Sequence, residues 1–138
     1  MQTFLPLPDL LESVRVLDDK RLGKQRVEAM QILNALQGRS MGWRHHPAVK
    51  MWRGHEQALA VYHNMCIREW IDRGFRNNMP LLEEVGLPAL PPWFGMPEFH
   101  ASHRSNLLRK DPDHYGWFGW SEPRNLPYFW PAEEGAAV

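Results

Sequence analysis

The helical periodicity of residues 18–37 constrains the fold most strongly. At about 100° per residue, one face of this segment collects apolar side chains: Leu22, Ala29, Met30, Leu33 and Leu36. Asp18 or Asp19 is a suitable N-cap, and Gly38 follows the last periodic residue, as helix-ending glycines do. The pattern predicts one long amphipathic helix with a buried face.

Two further long helices are predicted. Pro47 occupies a position that favours helix starts, and the pattern that it opens continues to about residue 73, with Gly54 as a weak point. A third helix is predicted over residues 98–110, before an Asp-Pro pair. Ahead of all three, residues 1–8 are predicted to be extended, and Asp9 is a suitable cap for a short turn after them.

The remaining segments are irregular. Residues 75–99 contain five prolines, which exclude long regular elements. Residues 114–130 are rich in aromatic side chains, most of which are predicted to lie over the helices as core. No segment alternates as a strand does. The prediction is an all-α, compact single domain over residues 1–138, with three main helices and a long aromatic and proline-rich loop and tail.

Composition limits the function classes. The 138 residues carry a formal net charge of zero, with a pI near 7.1, so any nucleic-acid affinity has to come from a local patch. The single cysteine, Cys66, excludes an internal disulfide, is predicted to be inert core and favours the cytoplasm. There is no signal-peptide pattern and no apolar run near the roughly 18 residues that span a bilayer, so no membrane is expected.

Four basic residues lie within seven positions: Lys20, Arg21, Lys24 and Arg26. They can contact phosphates on adjacent helix turns, although a solvated helix face with Lys24 paired to Glu28 is the alternative. Arg26 falls on the apolar face, where an unpaired guanidinium is costly. It is predicted either to pair with an acidic residue such as Glu56 or to hold a phosphate bidentately in a cleft.

Two clusters of histidine and arginine are further candidates. Arg44, His45 and His46 precede a helix N-terminus, whose amides attract anions, so they are predicted to contact substrate. The alternative is a loop in which one histidine caps the helix. His100, His103 and Arg104 share one face of the third helix, which suits phosphate contacts. Metal binding is not expected there, because no third ligand is in register.

Trp117 is an aromatic candidate in the tail. An exposed tryptophan beside basic groups can stack on an unpaired or flipped base.

The order of these parts resembles the pyrimidine-dimer DNA glycosylase family, the phage-type endonuclease V, over roughly residues 1–120. The resemblance rests on an N-terminal segment leading to a helix with Leu17 and Arg26-Val27, a proline-led helix ending Ile71-Asp72-Arg73-Gly74-Phe75, and a short helix with Arg104 and Lys110 before Tyr115-Gly116-Trp117-Phe118-Gly119.

This resemblance implies an all-α DNA glycosylase that needs no metal or cofactor. Such enzymes flip a base opposite the lesion, attack the sugar C1′ with the N-terminal α-amine, form a Schiff base and cleave the strand by β-elimination. An α-amine has a pKa of about 8 against about 10.4 for lysine, so more of it is unprotonated at neutral pH. Arg26 matches a substrate-binding arginine of the family, and Arg21 and Lys24 flank it by position.

Two positions depart from the family pattern. The family nucleophile is a threonine exposed after removal of the initiator, whereas Gln2 is bulky and predicts that Met1 stays and supplies the amine. The essential family glutamate lies three residues before the arginine, where this chain has Gly23. Glu28 is the nearest acid on that helix, and Glu28, His46 or His103 is predicted to handle protons.

The sequence thus predicts a DNA repair-type glycosylase and AP lyase that acts on a damaged or modified base in double-stranded DNA. It is expected to be a cytoplasmic monomer, associated with the nucleoid when bound to DNA. Two alternatives stay open: a non-catalytic module on the same fold that binds damaged DNA or RNA, and a His/Arg enzyme for a small phosphorylated substrate.

Overall fold

The computed structural model describes residues 1–40, 42–86 and 88–131. Their helices are α1 (Leu10–Arg15), α2 (Asp19–Leu36), α3 (Pro47–Lys50), α4 (Glu56–Asp72), α5 (Pro97–Lys110) and α6 (Pro112–Tyr115), followed by a 3₁₀ turn at Gly116–Phe118. No strand occurs in these ranges, and the predicted all-α fold is confirmed. None of the described helices is long and apolar enough to cross a membrane.

The local start signals of α1 and α2 act as predicted. Asp9 caps α1 by accepting from the Glu12 N–H at 2.8 Å. Asp18 has an extended backbone, and its carboxylate accepts from the Arg21 N–H at the first turn of α2. A side-chain oxygen at this position satisfies an amide that the helix itself leaves without a partner. The predicted bounds of α2 and of α5 are confirmed to within a residue or two.

The predicted continuous helix from Pro47 to residue 73 is wrong. The structure divides it into α3 and α4. Gly54 adopts a φ of +84°, a conformation that glycine reaches without steric cost and that turns the chain. The apolar periodicity runs through the break because Trp52, inside the turn, is buried in the core like the helix residues around it.

The main helix contact joins α2 to α4. Trp70 of α4 lies against Gly23 of α2, where a Cβ built on the glycine would come within 3.0 Å of two ring atoms. The Arg26 guanidinium lies 4.5 Å from the Trp70 ring centroid, and Phe75 stacks on the ring with centroids 4.2 Å apart. The glycine therefore lets the two helices approach at a crowded point.

The N-terminal segment, residues 2–7, is an internal element. Residues 2–6 are buried, and Leu5 has no exposed surface. Phe4 hydrogen-bonds to α2 and α4, whereas Leu5 hydrogen-bonds to α5. The segment therefore lies between α5 and the α2–α4 pair, and it connects them.

The tail covers this core. Tyr115 is buried, and four later aromatics pack partly buried against the core: Trp120, Tyr128, Phe129 and Trp130. The prediction that most tail aromatics are core is confirmed, with Trp117, at 88% exposed, and Phe118, at 42%, as exceptions. Cys66 is also buried, and burial raises the pKa of its thiol to about 12, which confirms an inert cysteine.

Candidate active site

Two side chains, from α2 and α4, hold the start of the N-terminal segment. Gln25 accepts from the Phe4 N–H at 2.8 Å, and its Nε2 donates to the Gln2 carbonyl at 2.8 Å. The Tyr62 hydroxyl donates to the Phe4 carbonyl at 2.9 Å. Backbone groups taken out of water need such partners, and here side chains rather than a neighbouring strand supply them.

Helix α5 holds the next two residues of the segment. His103 Nδ1 accepts from the Leu5 N–H at 2.9 Å, and His100 Nδ1 lies 2.7 Å from the Leu5 carbonyl, to which it donates. Arg104 Nη1 donates to the Pro6 carbonyl at 2.8 Å. With both sides of the segment tied to helices, the position of Met1 is fixed relative to α2.

Met1 borders a cavity of about 290 Å³ beside α2. We call it the N-terminal cavity; its wall includes Met1, Gln2, Lys20, Arg21, Lys24, Gln25, Glu28, Lys110 and Tyr128. A shallower depression along α2 shares Lys20, Lys24 and Glu28 with it. An amino terminus, a carboxylate and four cations therefore meet at one open hollow.

The four cations differ in whether an acidic residue pairs with them. Arg21 pairs with Asp18 at 3.1 Å. Lys20, Lys24 and Lys110 form no ion pair with any described residue. The pKa of Lys110 is lowered by partial burial and by the positive charges of Arg21, Arg109 and Lys24. Cations that repel one another around a hollow favour an anionic ligand.

Glu28 reaches the same cavity as Met1. Its Oε2 accepts from Gln25 Nε2 at 3.0 Å. No pair with Lys24 forms within the described structure, so the pairing in that alternative is wrong, although Lys20 and Lys24 are solvent-exposed as it expected. Gln25 is 1% exposed, and its carboxamide also accepts from the Tyr62 hydroxyl at 2.6 Å. One buried glutamine thus links the carboxylate to the backbone that positions the amine.

His46 lies near the N-terminus but is already engaged. Its Nδ1 accepts from the Ala48 N–H at 3.0 Å and caps α3, as the capping alternative held. Burial lowers the pKa of His46, and the positive charge of the Met1 amino group lowers it further. Because Nδ1 accepts, the neutral ring carries its proton on Nε2. This geometry suits a neutral hydrogen-bond donor better than a group that transfers protons, which was the predicted role.

His100 and His103 do not line the N-terminal cavity. They are 2% and 0% exposed. His100 Nε2 accepts from the Gly95 N–H at 2.9 Å, so both of its ring nitrogens are engaged. Burial lowers the pKa of His103 to about 3, with a further contribution from His100. The predicted catalytic role of His103 and nucleic-acid contact of His100 are therefore replaced by a structural role, since both anchor Leu5.

Arg104 also has a structural role in place of the predicted phosphate contact. Its Nε and Nη2 donate to the two carboxylate oxygens of Glu122 at 2.8 and 2.9 Å, while Nη1 is bound to the Pro6 carbonyl. This bidentate arrangement is the strongest that arginine makes with a carboxylate. The pair fastens the tail to the N-terminal segment.

Arg26 faces α4 rather than the N-terminal cavity. Its Nη1 donates to Asn77 Oδ1 at 2.7 Å, and burial lowers its pKa. The predicted pairing with Glu56 is wrong, because Glu56 caps the Gly54 N–H instead. The polar residue at the centre of the buried face is Gln25, which sequence reasoning missed although it lies on the face of Leu22 and Ala29.

The remaining candidates lie on the surface. Arg44 and His45 are exposed just before α3, and Trp117 is exposed in the 3₁₀ turn. No group of three His, Cys, Asp or Glu side chains suited to a metal ion occurs in the described ranges. The chemistry of the site therefore has to come from its amine, carboxylate and cations.

Comparison with known proteins identifies the family of the chain. The family model described as pyrimidine dimer DNA glycosylase matches residues 1–83, which include the N-terminal segment, Gln25, Glu28 and the cations of α2. Lys110 and Tyr128, on the opposite side of the cavity, lie beyond the match. No curated protein and no solved structure matches the chain. With more than half of its 138 residues matched, the chain belongs to the pyrimidine dimer DNA glycosylase family, a family of DNA repair, as its sequence pattern predicted.

Proposed function

We propose that this protein is a DNA glycosylase and AP lyase for pyrimidine dimers in double-stranded DNA, with the α-amine of Met1 as its nucleophile. The observation that carries the proposal is the anchoring of residues 2–7, which fixes Met1 in a cavity with Glu28 and four cations. Burial of the segment alone accounts for its anchors, but it does not require that the amine end beside a carboxylate and lysines that lack ion pairs with described residues.

In the first step, the unprotonated amine attacks C1′ of the damaged nucleotide. The N-glycosidic bond breaks, and the base leaves with the bonding electrons and takes up a proton. Ring opening of the sugar gives a Schiff base between Met1 and C1′.

In the second step, Glu28 removes a proton from C2′, and the bond between C3′ and its oxygen breaks. The strand on the 3′ side of the lesion leaves with a 5′-phosphate. The carboxylate suits this step because it is positioned by Gln25 and faces the same cavity as the amine. Hydrolysis of the Schiff base then frees the enzyme.

The cations bind the DNA backbone around the reacting sugar. Lys20, Lys24 and Lys110 have no ion pair with the described residues and border the cavity. For each phosphate that they neutralise, the logarithm of the association constant for duplex DNA falls by about 0.9 when the logarithm of the salt concentration rises by one. Arg44, His45 and Trp117 are exposed and supply outer contacts, with Trp117 as a stacking surface for an unpaired base.

Borohydride trapping tests the proposal. A duplex with one abasic site and a duplex with one thymine dimer are each incubated with protein and borohydride, and the adduct is mapped by mass spectrometry. We expect an adduct on Met1, together with an intact mass that shows an unmodified initiator.

Glu28→Gln is the matched control. It should bind the abasic duplex normally but lose strand cleavage, because the amide cannot take up the C2′ proton. An adduct on Lys20 or Lys24 would contradict Met1 as the nucleophile. Binding without any adduct would identify a DNA-binding module rather than an enzyme.

A further inference from the structure

Gln2 carries a buried donor that the reaction scheme does not use. The residue is 6% exposed and borders the N-terminal cavity. Its Oε1 accepts from the Thr3 N–H at 2.9 Å, and its carbonyl accepts from Gln25 Nε2 at 2.8 Å. Its Nε2 is buried and has no acceptor among the described residues.

An unpaired buried donor destabilises the folded state. A buried N–H group without a partner loses its hydrogen bonds to water and gains none in return, and nearly all buried polar groups in folded proteins are paired. The Gln2 side chain is held on both sides, by Thr3 and through its backbone by Gln25. The Oε1 contact with Thr3 fixes the orientation of the amide group. No described protein group accepts from Nε2, so a ligand in the cavity that Gln2 borders is the candidate acceptor.

The surroundings identify the class of acceptor. Lys20 and Lys24 border the same cavity without ion pairs to described residues, so the ligand at this point is an anion. An unesterified phosphate oxygen meets both requirements, because it is negative and accepts from an amide N–H. A base carbonyl meets only the second.

We propose that Gln2 is a DNA-binding residue that donates from Nε2 to a phosphate oxygen flanking the sugar that Met1 attacks. The inference rests on the proposed function for the position of that sugar. It also gives a use to the residue at which this chain departs from the family pattern, since Gln2 both keeps Met1 in place and supplies a contact next to it.

The test compares wild type with Gln2→Met on a duplex that carries a tetrahydrofuran abasic analogue. This analogue has no base and cannot form a Schiff base, so affinity reports the backbone contact alone. Methionine keeps the side-chain length and is bulky enough to leave Met1, which intact mass verifies. It removes the Nε2 donor and also the Oε1 that accepts from the Thr3 N–H. We expect binding about 10- to 150-fold weaker, as for one lost hydrogen bond to a charged group.

A salt series separates this contact from a charge effect. The slope of log K against log salt should be unchanged in Gln2→Met, whereas the matched variant Lys24→Met should reduce it by about one phosphate. A methylphosphonate at one flanking phosphate should weaken wild type and remove the difference between wild type and Gln2→Met. Gln2→Glu, which replaces the donor by an anion, should bind still more weakly and serves if Gln2→Met does not fold.

Equal affinity of wild type and Gln2→Met for the analogue would overturn the inference. So would a penalty that persists with either flanking methylphosphonate, because the acceptor would then not be a phosphate. Trapping on wild type reports the enzyme separately. If Met1 forms an adduct but Gln2→Met binds like wild type, only the proposed contact between Gln2 and phosphate is refuted. If Gln2→Met binds more weakly but no adduct forms, only the proposed lyase activity is refuted.

Discussion

At the residue scale, Gln25 connects the Glu28 carboxylate to the buried segment that positions the Met1 amine. Its oxygen accepts from the Phe4 N–H and the Tyr62 hydroxyl, and its nitrogen donates to the Gln2 carbonyl and to Glu28. A buried glutamine with every hydrogen-bonding position used holds one orientation. We infer that it positions Glu28 relative to Met1 without touching substrate.

Gln25→Glu tests this positioning role. The variant keeps the acceptors, loses both donors and places a second carboxylate 3.0 Å from Glu28, which raises the pKa of the pair. We expect kcat to fall by about 100-fold and the acid limb of the pH–rate profile to move to higher pH. Affinity for the tetrahydrofuran duplex should change little.

Tyr62→Phe is the control for that variant, because it removes a hydrogen bond to Gln25 but leaves both of its donors. Its pH–rate profile should match wild type even if stability falls. An unshifted profile in Gln25→Glu would assign Gln25 a purely structural role.

His103 predicts how stability depends on pH. Its pKa is about 3 in the fold against about 6.5 in an unfolded chain, so below about pH 6.5 the unfolded state binds more protons. The contribution of His103 is therefore full above about pH 6.5 and is lost as pH falls toward about 3. Urea unfolding at several pH values should show this decline.

His103→Asn is the matched variant, since its amide oxygen can accept from the Leu5 N–H but does not titrate. Its stability should start lower, because the smaller side chain leaves a cavity, and should fall less steeply between pH 6.5 and 4. Parallel curves for the two proteins would show that other groups cause the acid dependence.

The sequence located part of the site at this scale. Lys20, Lys24 and Glu28 meet Met1 because one helix face orders them by spacing alone. The structural role of His100 and His103 could not be predicted from spacing. Helical spacing puts them on one face, but it does not say that the N-terminal segment covers that face, and a covered histidine becomes an anchor.

At the element scale, the fit of α2 against α4 depends on Gly23. Alanine there would gain about 1 kcal/mol in helix propensity, but its Cβ would come within 3.0 Å of the Trp70 ring. That ring cannot move easily, because its Nε1 donates to the Arg76 carbonyl at 2.9 Å and Phe75 stacks on it.

We therefore expect Gly23→Ala to lower the free energy of unfolding by up to about 2 kcal/mol, the usual range for overpacking less the propensity gain. Urea unfolding measures it. In a Trp70→Phe background, whose smaller ring leaves room, the same change should be neutral or stabilising. Destabilisation of equal size in both backgrounds would point away from the ring contact.

Element bounds follow from the sequence where the signals are local. Asp9, Asp18 and Pro47 each act on their own first turn, so α1, α2 and α3 begin as predicted. The sequence pattern predicts only a weak point at Gly54 and not a break, because Trp52 is buried and continues the apolar pattern through the turn. Periodicity reports which side is buried and does not require an unbroken helix.

At the scale of the whole molecule, the Arg104–Glu122 pair joins α5, the tail and the N-terminal segment. Arg104→Lys would keep the charge but lose the bidentate geometry. We expect the free energy of unfolding to fall by about 1–3 kcal/mol with no change in the salt slope of DNA binding. A slope reduced as in Lys24→Met would instead restore the phosphate contact that the sequence predicted for Arg104.

The anchoring of the N-terminal segment also sets an order of events during synthesis. Leu5 and His103 are separated by 98 positions in the chain, and closing so long a loop is entropically unfavourable until the contacts on both sides can form. Residues 2–6 are therefore synthesised well before the α5 side chains that hold Leu5 and Pro6. A chain that stops before α5 lacks these contacts, and the N-terminal segment, with the amine proposed as the nucleophile, is then held on one side only.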